Sequence, residues 1–228
     1  MVQNSQLEIA CFNLDSALIA QENGADRVEL CAGIEVGGTT PNPIDIINAR
    51  KFVTTDLFVM IRPRGGHFVY SDDEFAQMKL NILHIKSLKV DGFVFGILDE
   101  NNKIDIERNS ELVNFAKPFP CTFHRAFDEV QYPFQALEQI INCGFKTILT
   151  SGQAQNVTAG MHRLTELVTK ANNRIVIMPG GGLRSTNIET IQQNTKAIFY
   201  HSSAITDNSQ IVNANEVIAL KTKIKKLR

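Results

Sequence analysis

The chain has 228 residues, of which 43% are hydrophobic and 21% charged, and its formal net charge is -1. These values are ordinary for a globular protein, and the length suits one domain, residues 1–228, with a sizeable core. The near-neutral charge gives no reason to expect nucleic acid or an anionic membrane surface as a partner, and no apolar run is long enough to span a bilayer.

The first residues are polar and lead straight into a strand-like segment, without an apolar targeting region. We therefore expect a cytoplasmic protein. Its four cysteines, Cys11, Cys31, Cys121 and Cys143, form no CxxC pair and no zinc-like spacing. In a reducing compartment they should be free thiols.

Short apolar runs alternate with amphipathic stretches along the whole chain, a pattern typical of parallel sheets built from strand–helix units. The runs predict eight strands: Leu7–Cys11, Arg27–Cys31, Leu57–Arg62, Gly92–Gly96, Cys121–His124, Thr147–Ser151, Val176–Gly180 and Ala197–His201.

Helices are predicted between the strands and after the last one. The first of four clear examples is preceded by Ser71, which suits an N-cap, and the second begins with proline and ends before Gly144. The four are Asp72–Leu88, Pro133–Cys143, Met161–Ala171 and Asn213–Lys226. Eight such units predict an α/β fold, a single (β/α)8 TIM barrel. An open, doubly wound sheet is the alternative, but no GxGxxG motif follows the first strand.

Strand residues in a barrel point alternately inward and outward, and the outward set must be apolar because helices cover it. This rule sends Cys11 outward together with Leu7 and Ile9. The predicted inward set is Glu8, Ala10, Arg27, Glu29, Cys31, Met60, Arg62, Thr122, His124, Thr150 and His201.

Five of these inward residues are ionisable and come from five different strands: Glu8, Glu29, Arg62, His124 and His201. Buried charges must be paired or hydrated, because an isolated one costs several kcal/mol. One interpretation is an internal salt-bridge network in which Glu29 pairs with Arg27 or Arg62. The other is a polar pocket at the carboxyl ends of the strands, where barrel enzymes keep their sites.

The loops after the strands favour the pocket. The third strand runs into Arg62 and Arg64, followed by two glycines; guanidinium groups match carboxylate or phosphate, so both are candidate anion ligands. The sixth strand leads into Thr150 and Ser151, which add hydroxyl donors.

Three glycines, Gly180, Gly181 and Gly182, follow the seventh strand, where barrels often form a phosphate cradle, and His201 ends the eighth strand beside them. A tight turn is the plainer explanation of the glycines. For proton transfer, His124 and Glu29 are the candidate catalytic groups, with Asp128 placed either to orient His124 or to cap the next segment.

Some inward residues carry soft donor atoms. Cys31, Met60, Met178, His124 and His201 offer thiolate, thioether and imidazole, which favour Cu(I) over hard cations. Each of them is also a common core residue.

The loop motifs in order resemble those of the copper homeostasis protein CutC family, from about Leu7 to Ala204. The matching segments are Arg27–Cys31, Gly37–Pro41, Val59–Gly66, Phe93–Gly96, Thr122–Asp128, Leu149–Gln153 and Met178–Gly182. The resemblance implies a cytoplasmic TIM barrel, a homo-oligomer (dimer or tetramer), with a role in copper control and Cu(I) bound through cysteine.

The resemblance also exposes one departure. The family's first strand usually reads Glu-apolar-Cys with the cysteine inward, whereas this chain has Ala10 at that position and Cys11 after it. The second family cysteine is Cys31. A two-thiolate Cu(I) site would therefore need Cys11 to turn inward, or a substitute such as Met60 or His124.

Three functions follow from these features. The first is a copper-binding protein with Cys31, and Cys11 if it turns inward, as metal ligands. The second is an enzyme acting on a small phosphorylated or carboxylated metabolite by acid–base chemistry. The third is a scaffold that only oligomerises, which leaves the polar interior unexplained.

Overall fold

A computed structural model describes residues 5–224, in which strands and helices alternate. The strands are β1 Gln6–Cys11, β2 Arg27–Leu30, β3 Asp56–Met60, β4 Gly92–Phe95, β5 Cys121–Phe123, β6 Thr147–Thr150, β7 Val176–Pro179 and β8 Phe199–Ser202. The helices are α1 Leu14–Glu22, α2 Pro43–Phe52, α3 Asp72–Lys86, α4 Ile106–Ala116, α5 Pro133–Cys143, α6 Met161–Ala171, α7 Ile188–Thr195 and α8 Ala214–Lys223. Short 3₁₀ helices cover Ile34–Val36 and Arg125–Glu129.

The strands form one parallel sheet in the order β7-β6-β5-β4-β3-β2-β1-β8, and β7 and β8 lie side by side. The result is a nearly closed eight-stranded barrel, so the predicted TIM-barrel fold is confirmed and the open sheet is excluded. The register places Glu8 opposite both Arg27 on β2 and His201 on β8. Three ionisable groups thus meet at one level inside the barrel.

All eight predicted strands exist, with boundaries that differ by one or two residues. The differences of two residues are at the end of β3, predicted at Arg62 but found at Met60, and at the start of β8, predicted at Ala197 but found at Phe199. Ala197 belongs to the preceding turn instead, because its N–H donates to Thr195 and its carbonyl accepts from the Tyr200 hydroxyl. Helices α5 and α6 have the predicted bounds.

Two helix predictions differ at their ends. Helix α3 stops at Lys86, two residues before the predicted Leu88. Asn213 is the N-cap of α8, which ends at Lys223; the predicted end at Lys226 lies outside the described residues.

Apolar residues divide between the two faces of the barrel wall as the alternation rule predicts. Outward residues such as Leu7, Ile9 and Cys11 pack in the large apolar layer between strands and helices. Inward residues form separate small clusters inside the barrel; Cys31, Phe58 and Met60 make up most of one. None of the helices described between residues 5 and 224 combines the length and apolarity needed to cross a membrane.

Helix α3 begins with a full capping box, as Ser71 suggested. The Ser71 hydroxyl accepts the N–H of Glu74 at 3.2 Å, and the Glu74 carboxylate accepts the N–H of Ser71 at 2.9 Å. The two bonds satisfy N–H groups that a helix start otherwise leaves without partners.

Ser71→Ala should therefore lower the free energy of unfolding by about 1 kcal/mol, and the melting temperature by about 2–4 °C in a chain of this size. Thermal unfolding followed by circular dichroism measures the change. Ser87→Ala, at the other end of α3, is the control. Equal melting temperatures for Ser71→Ala and the unaltered protein would contradict a stabilising role for the cap.

Candidate functional site

A pocket of about 440 Å³ opens at the carboxyl ends of the strands. Eight of the predicted site residues line it: Glu29, Cys31, Arg62, His124, Asp128, Gly181, Gly182 and His201. Five others do not: Cys11, Arg64, Thr150, Ser151 and Gly180. The barrel therefore brings together side chains from strands that are far apart in sequence, and the contacts of each group show what it can do.

A hydrogen-bonded network forms the floor of the pocket. Arg27 pairs with Glu8, and His201 Nδ1 lies 2.7 Å from the other Glu8 oxygen. His201 Nε2 is 4.0 Å from Glu29, whose same oxygen accepts from the Cys31 thiol at 3.6 Å. An internal network is thus present, but Arg27 pairs with Glu8 and not with Glu29.

The charges of this network depend on one another. Burial favours a neutral Glu8, but the Arg27 charge and the His201 hydrogen bond outweigh it and lower the pKa of Glu8. An ionised Glu8 can only accept, so His201 donates its Nδ1–H. Burial alone would lower the pKa of His201, but its bond to Glu8 and the nearby carboxylates raise it. Burial raises the pKa of Glu29 to about 7.

Glu8, Glu29 and His201 place ligand atoms within 4.8 Å of one another, as a metal site requires. Glu8, however, is already bonded to both Arg27 and His201, so a metal ion at this triad would have to displace one of those bonds. The guanidinium of Arg27 lies between the rings of Phe58 and Phe199, at 3.9 and 4.2 Å, which fixes it beside Glu8. We therefore assign Glu8, with its bonds to Arg27 and His201, to the structural floor and not to a metal site.

The two cysteines predicted as metal ligands lie on opposite faces of the barrel wall. Cys31 is on the pocket wall, and Met60 on the next strand packs with it in the same interior cluster. Cys11 is fully buried in the outer apolar layer, while Ala10 faces the pocket. Burial, followed by the Glu29 charge, raises the pKa of the Cys31 thiol well above its usual value. The structure does not bring the two sulfur atoms into one site.

Arg62 is buried, and it ties two loops together from inside the pocket wall. Its N–H groups donate to the carbonyls of Val36, Gly38 and Gly66 at 2.7–2.9 Å, and its Nε–H has no partner in the described chain. Phe68 packs on the guanidinium at 4.7 Å.

Arg64 faces away from the pocket. It pairs with Glu74 at 2.5 Å and donates to the carbonyls of His67 and Val69. It therefore holds the loop after β3 against the start of α3. The sequence placed it with Arg62 because both follow the same strand, but only the fold decides which guanidinium turns inward.

His124 is buried in an apolar setting and stays neutral. Its Nδ1 accepts the N–H of Ala126 at 3.3 Å, so Nε2 carries the proton, and Nε2 has no partner in the described chain. Phe68 packs on its ring at 4.8 Å. Burial and the Arg62 charge lower its pKa to about 3. A neutral imidazole of this kind suits hydrogen-bond donation to a ligand oxygen better than proton abstraction.

Asp128 does not contact His124 but organises the loop after β6. Its carboxylate accepts from the Thr150 hydroxyl at 2.5 Å, from the N–H of Ser151 at 3.0 Å and from that of Gln153 at 3.2 Å. Arg125 donates to the other oxygen at 2.8 Å. Thr150 and Ser151 are therefore bonded to Asp128, and neither lines the pocket.

The three glycines after β7 have different roles. The Gly180 N–H donates to the Thr150 carbonyl at 3.0 Å, and a Cβ on Gly180 would lie 2.4 Å from Leu149. Gly180 is therefore required by close packing. Gly181 and Gly182 have φ of 101° and 72°, line the pocket and donate their N–H groups to no acceptor among residues 5–224.

Sequence reasoning missed five polar residues that line the pocket: Arg125, Glu129, Arg184, Ser202 and Ser203. Arg125 was visible as the residue after His124. Arg184 follows the three glycines by two positions, in a loop whose path the sequence pattern does not determine. It donates to the carbonyls of Leu183 and Ile205 and lies within reach of both serine hydroxyls.

Comparison with known proteins places these residues in a family. The sequence model of the CutC family matches residues 5–206. The human copper homeostasis protein cutC homolog is 42% identical over 198 residues, 87% of this chain and 72% of that protein. A family protein CutC of Parabacteroides distasonis is 46% identical over 199 residues, 87% of this chain and 82% of that protein.

A crystal structure described as a copper homeostasis protein CutC, from Streptococcus agalactiae, superposes on this chain with a TM-score of 0.84 at 36% identity. The alignment covers 89% of this chain and all of that one. The residues matched by the family's sequence model, 5–206, include all eight strands of the barrel.

The pKa of His124 generates a stability prediction. The pKa of an ordinary histidine is 6.5, whereas that of His124 in the folded protein is about 3. Between pH 6.5 and about pH 3, His124 is therefore protonated in the unfolded chain but neutral in the folded one. Stability should therefore fall as the pH drops below 6.5, by about 1.4 kcal/mol per pH unit from this residue and about 2 kcal/mol in total at pH 5.

Urea unfolding at pH 5 to 7 measures that slope, which His124→Asn should reduce. His162→Asn is the matched control, because the His162 side chain is 89% exposed. Equal slopes for His124→Asn and the unaltered protein would contradict a neutral, buried His124.

Proposed function

This chain belongs to the CutC family, and we propose that it serves copper homeostasis by binding Cu(I) in the barrel pocket through the thiolate of Cys31. The observation that carries the proposal is the position of Cys31 on the pocket wall, packed beside the thioether of Met60. A Cβ on Gly38 would lie 3.5 Å from both the Cys31 sulfur and the Met60 methyl group. Two soft sulfur donors on adjacent strands match the preference of Cu(I).

Met60 is the residue we assign as the second ligand. Cys11 lies on the opposite face of β1, so its use would require that strand to turn over. The Cys31 thiol must lose its proton to bind copper, and Glu29, which accepts its hydrogen bond at 3.6 Å, is placed to receive that proton.

The location and assembly of the protein belong to the same proposal. All four cysteines are free, which fits the reducing cytoplasm. A homo-oligomer is supported by exposed apolar side chains on α2, Ile44, Ile47 and Phe52, which a partner subunit would cover.

Anaerobic competition with a chromophoric Cu(I) chelator tests the copper proposal. We expect Cys31→Ser to weaken Cu(I) binding by at least about tenfold, or about 1.4 kcal/mol, because a hydroxyl is a poor Cu(I) ligand. Met60→Leu should weaken it less. Cys143→Ser is the control, because Cys143 lies on α5 away from the pocket. Equal affinities of Cys31→Ser and Cys143→Ser would rule out Cys31 as a ligand.

A second candidate is an enzyme that moves a proton on a small anionic metabolite. Two groups of the pocket wall favour it, because each keeps a buried polar atom without a partner in the described chain: Glu29 through Oε1 and His124 through Nε2. Such atoms are costly unless a ligand or water satisfies them. Here the neutral His124 donates a hydrogen bond to a ligand carbonyl oxygen, and Glu29 exchanges a proton with the carbon next to it.

Proton exchange into phosphorylated and carboxylated carbonyl compounds, followed by NMR in D₂O, tests this candidate. We expect exchange with at least one compound, and a loss of about 10²-fold or more in rate in His124→Asn, since losing a well-placed hydrogen-bond donor to a developing oxyanion costs that much. His162→Asn is again the control. Exchange that is unchanged in His124→Asn would contradict the role of His124, and no exchange at all would contradict the candidate.

A further inference from the structure

The arginines of residues 5–224 differ in whether a carboxylate partners them. Seven of the nine form an ion pair: Arg27, Arg50, Arg64, Arg108, Arg125, Arg163 and Arg174. The other two, Arg62 and Arg184, have no carboxylate within ion-pair distance in the described chain, and both line the pocket. The unpaired guanidinium groups are therefore concentrated at one place.

Both groups are held in position by neutral acceptors. Arg62 is 5% exposed and donates to three backbone carbonyls. Arg184 donates to two carbonyls and contacts two serine hydroxyls. Carbonyl and hydroxyl dipoles fix the geometry but leave each positive charge uncompensated, and the buried Nε–H of Arg62 has no partner among the described residues.

The barrel places the two charges on opposite sides of the pocket. Arg62 follows β3 and Arg184 follows β7, and these strands are four positions apart in a barrel of eight. Strands so related face each other across the axis. Arg62 and Arg184 therefore approach the pocket from opposite walls.

The acidic residues of the pocket do not neutralise this pair. Asp128 is bonded to Arg125 and to the loop after β6, and Glu29 lies on the floor beside Cys31 and His201. Glu129 is exposed at the rim. Both walls therefore carry a positive charge that no carboxylate of the described residues compensates.

We propose that the pocket binds a small molecule with an acidic group at each end, one end at Arg62 and the other at Arg184. The chemical class is a short dicarboxylate or a phosphorylated carboxylic acid, both of which offer oxyanions to two guanidinium groups. The inference rests on the second candidate function and gives its substrate a defined shape: the middle of the ligand lies between His124 and Glu29.

Calorimetric titration of the metal-free protein at fixed ionic strength tests the inference with matched probes. Succinate is compared with butyrate, and 3-phosphoglycerate with glycerol 3-phosphate, so that each pair differs in one acidic end. We expect at least one diacid to bind about tenfold or more tightly than its monoacid, because a second charge-assisted hydrogen bond is made.

Arg184→Gln should remove that difference, leaving the diacid no tighter than the monoacid. Arg174→Gln, which changes an exposed arginine paired with Glu138, should preserve it. Arg62→Lys keeps a charge at the other wall and should weaken both probes of a pair, provided that circular dichroism shows a folded protein.

The outcomes separate the inference from the second candidate. If diacid and monoacid bind equally, or Arg184→Gln keeps the diacid preference, the two-ended ligand is wrong. If proton exchange still occurs with a monoacid, the second candidate survives that result. Diacid preference without any proton exchange would support a binding site and contradict the enzyme.

Discussion

The buried ion pair between Glu8 and Arg27 is the interaction on which the interior of the barrel depends. Each partner alone would be an isolated charge inside the protein, at a cost of several kcal/mol, so each stabilises the other. Arg27 is fixed between two aromatic rings, and Glu8 uses its second oxygen for His201. Glu8, Arg27 and His201 lie on three adjacent strands, so one network links β1 and β2 to β8, the last strand in the order of the sheet.

That floor determines what lies above it. The bond to Glu8 fixes the orientation of the His201 ring and turns Nε2 towards Glu29, and Glu29 in turn accepts from Cys31. A thiol, a carboxyl group and an imidazole therefore face one pocket, and one oxygen of that carboxyl group has no partner among residues 5–224. The copper proposal assigns Cys31 and Met60 as ligands, and the enzyme proposal assigns Glu29 and His124 as the groups that act on the substrate. Both draw on Glu29, so the same residue would accept the proton in either chemistry.

The polar residues above the floor divide into those that build loops and those that remain available. Arg64 pairs with Glu74, and Asp128 accepts hydrogen bonds from the loop after β6, so both stabilise loops. Gly180 is required by its close packing against Leu149. Arg62 and Arg184 are equally well anchored, but by neutral dipoles, so anchoring does not consume their charge. Whether an arginine is held by a carboxylate or by neutral dipoles therefore distinguishes the structural arginines from those that can bind a ligand.

The sequence by itself determined the fold and most of the inner face of the barrel. Apolar runs of strand length locate all eight strands, and the period of two assigns Glu8, Glu29, His124 and His201 to the interior, because only apolar residues can lie under the helices. The same rule placed Cys11 outside, where the structure has it.

Only the tertiary structure decided the partners of those residues. Whether Arg27 bonds Glu8 or Glu29, whether Asp128 reaches His124 or the loop after β6, and which of Arg62 and Arg64 turns inward depend on loop paths and on strands that are distant in sequence. Arg184 was not predicted as a pocket residue because it also lies in a loop whose path the sequence does not determine. Periodicity reports the face of a strand on which a side chain lies, whereas hydrogen bonds and charge pairing depend on distances that exist only after the barrel has closed.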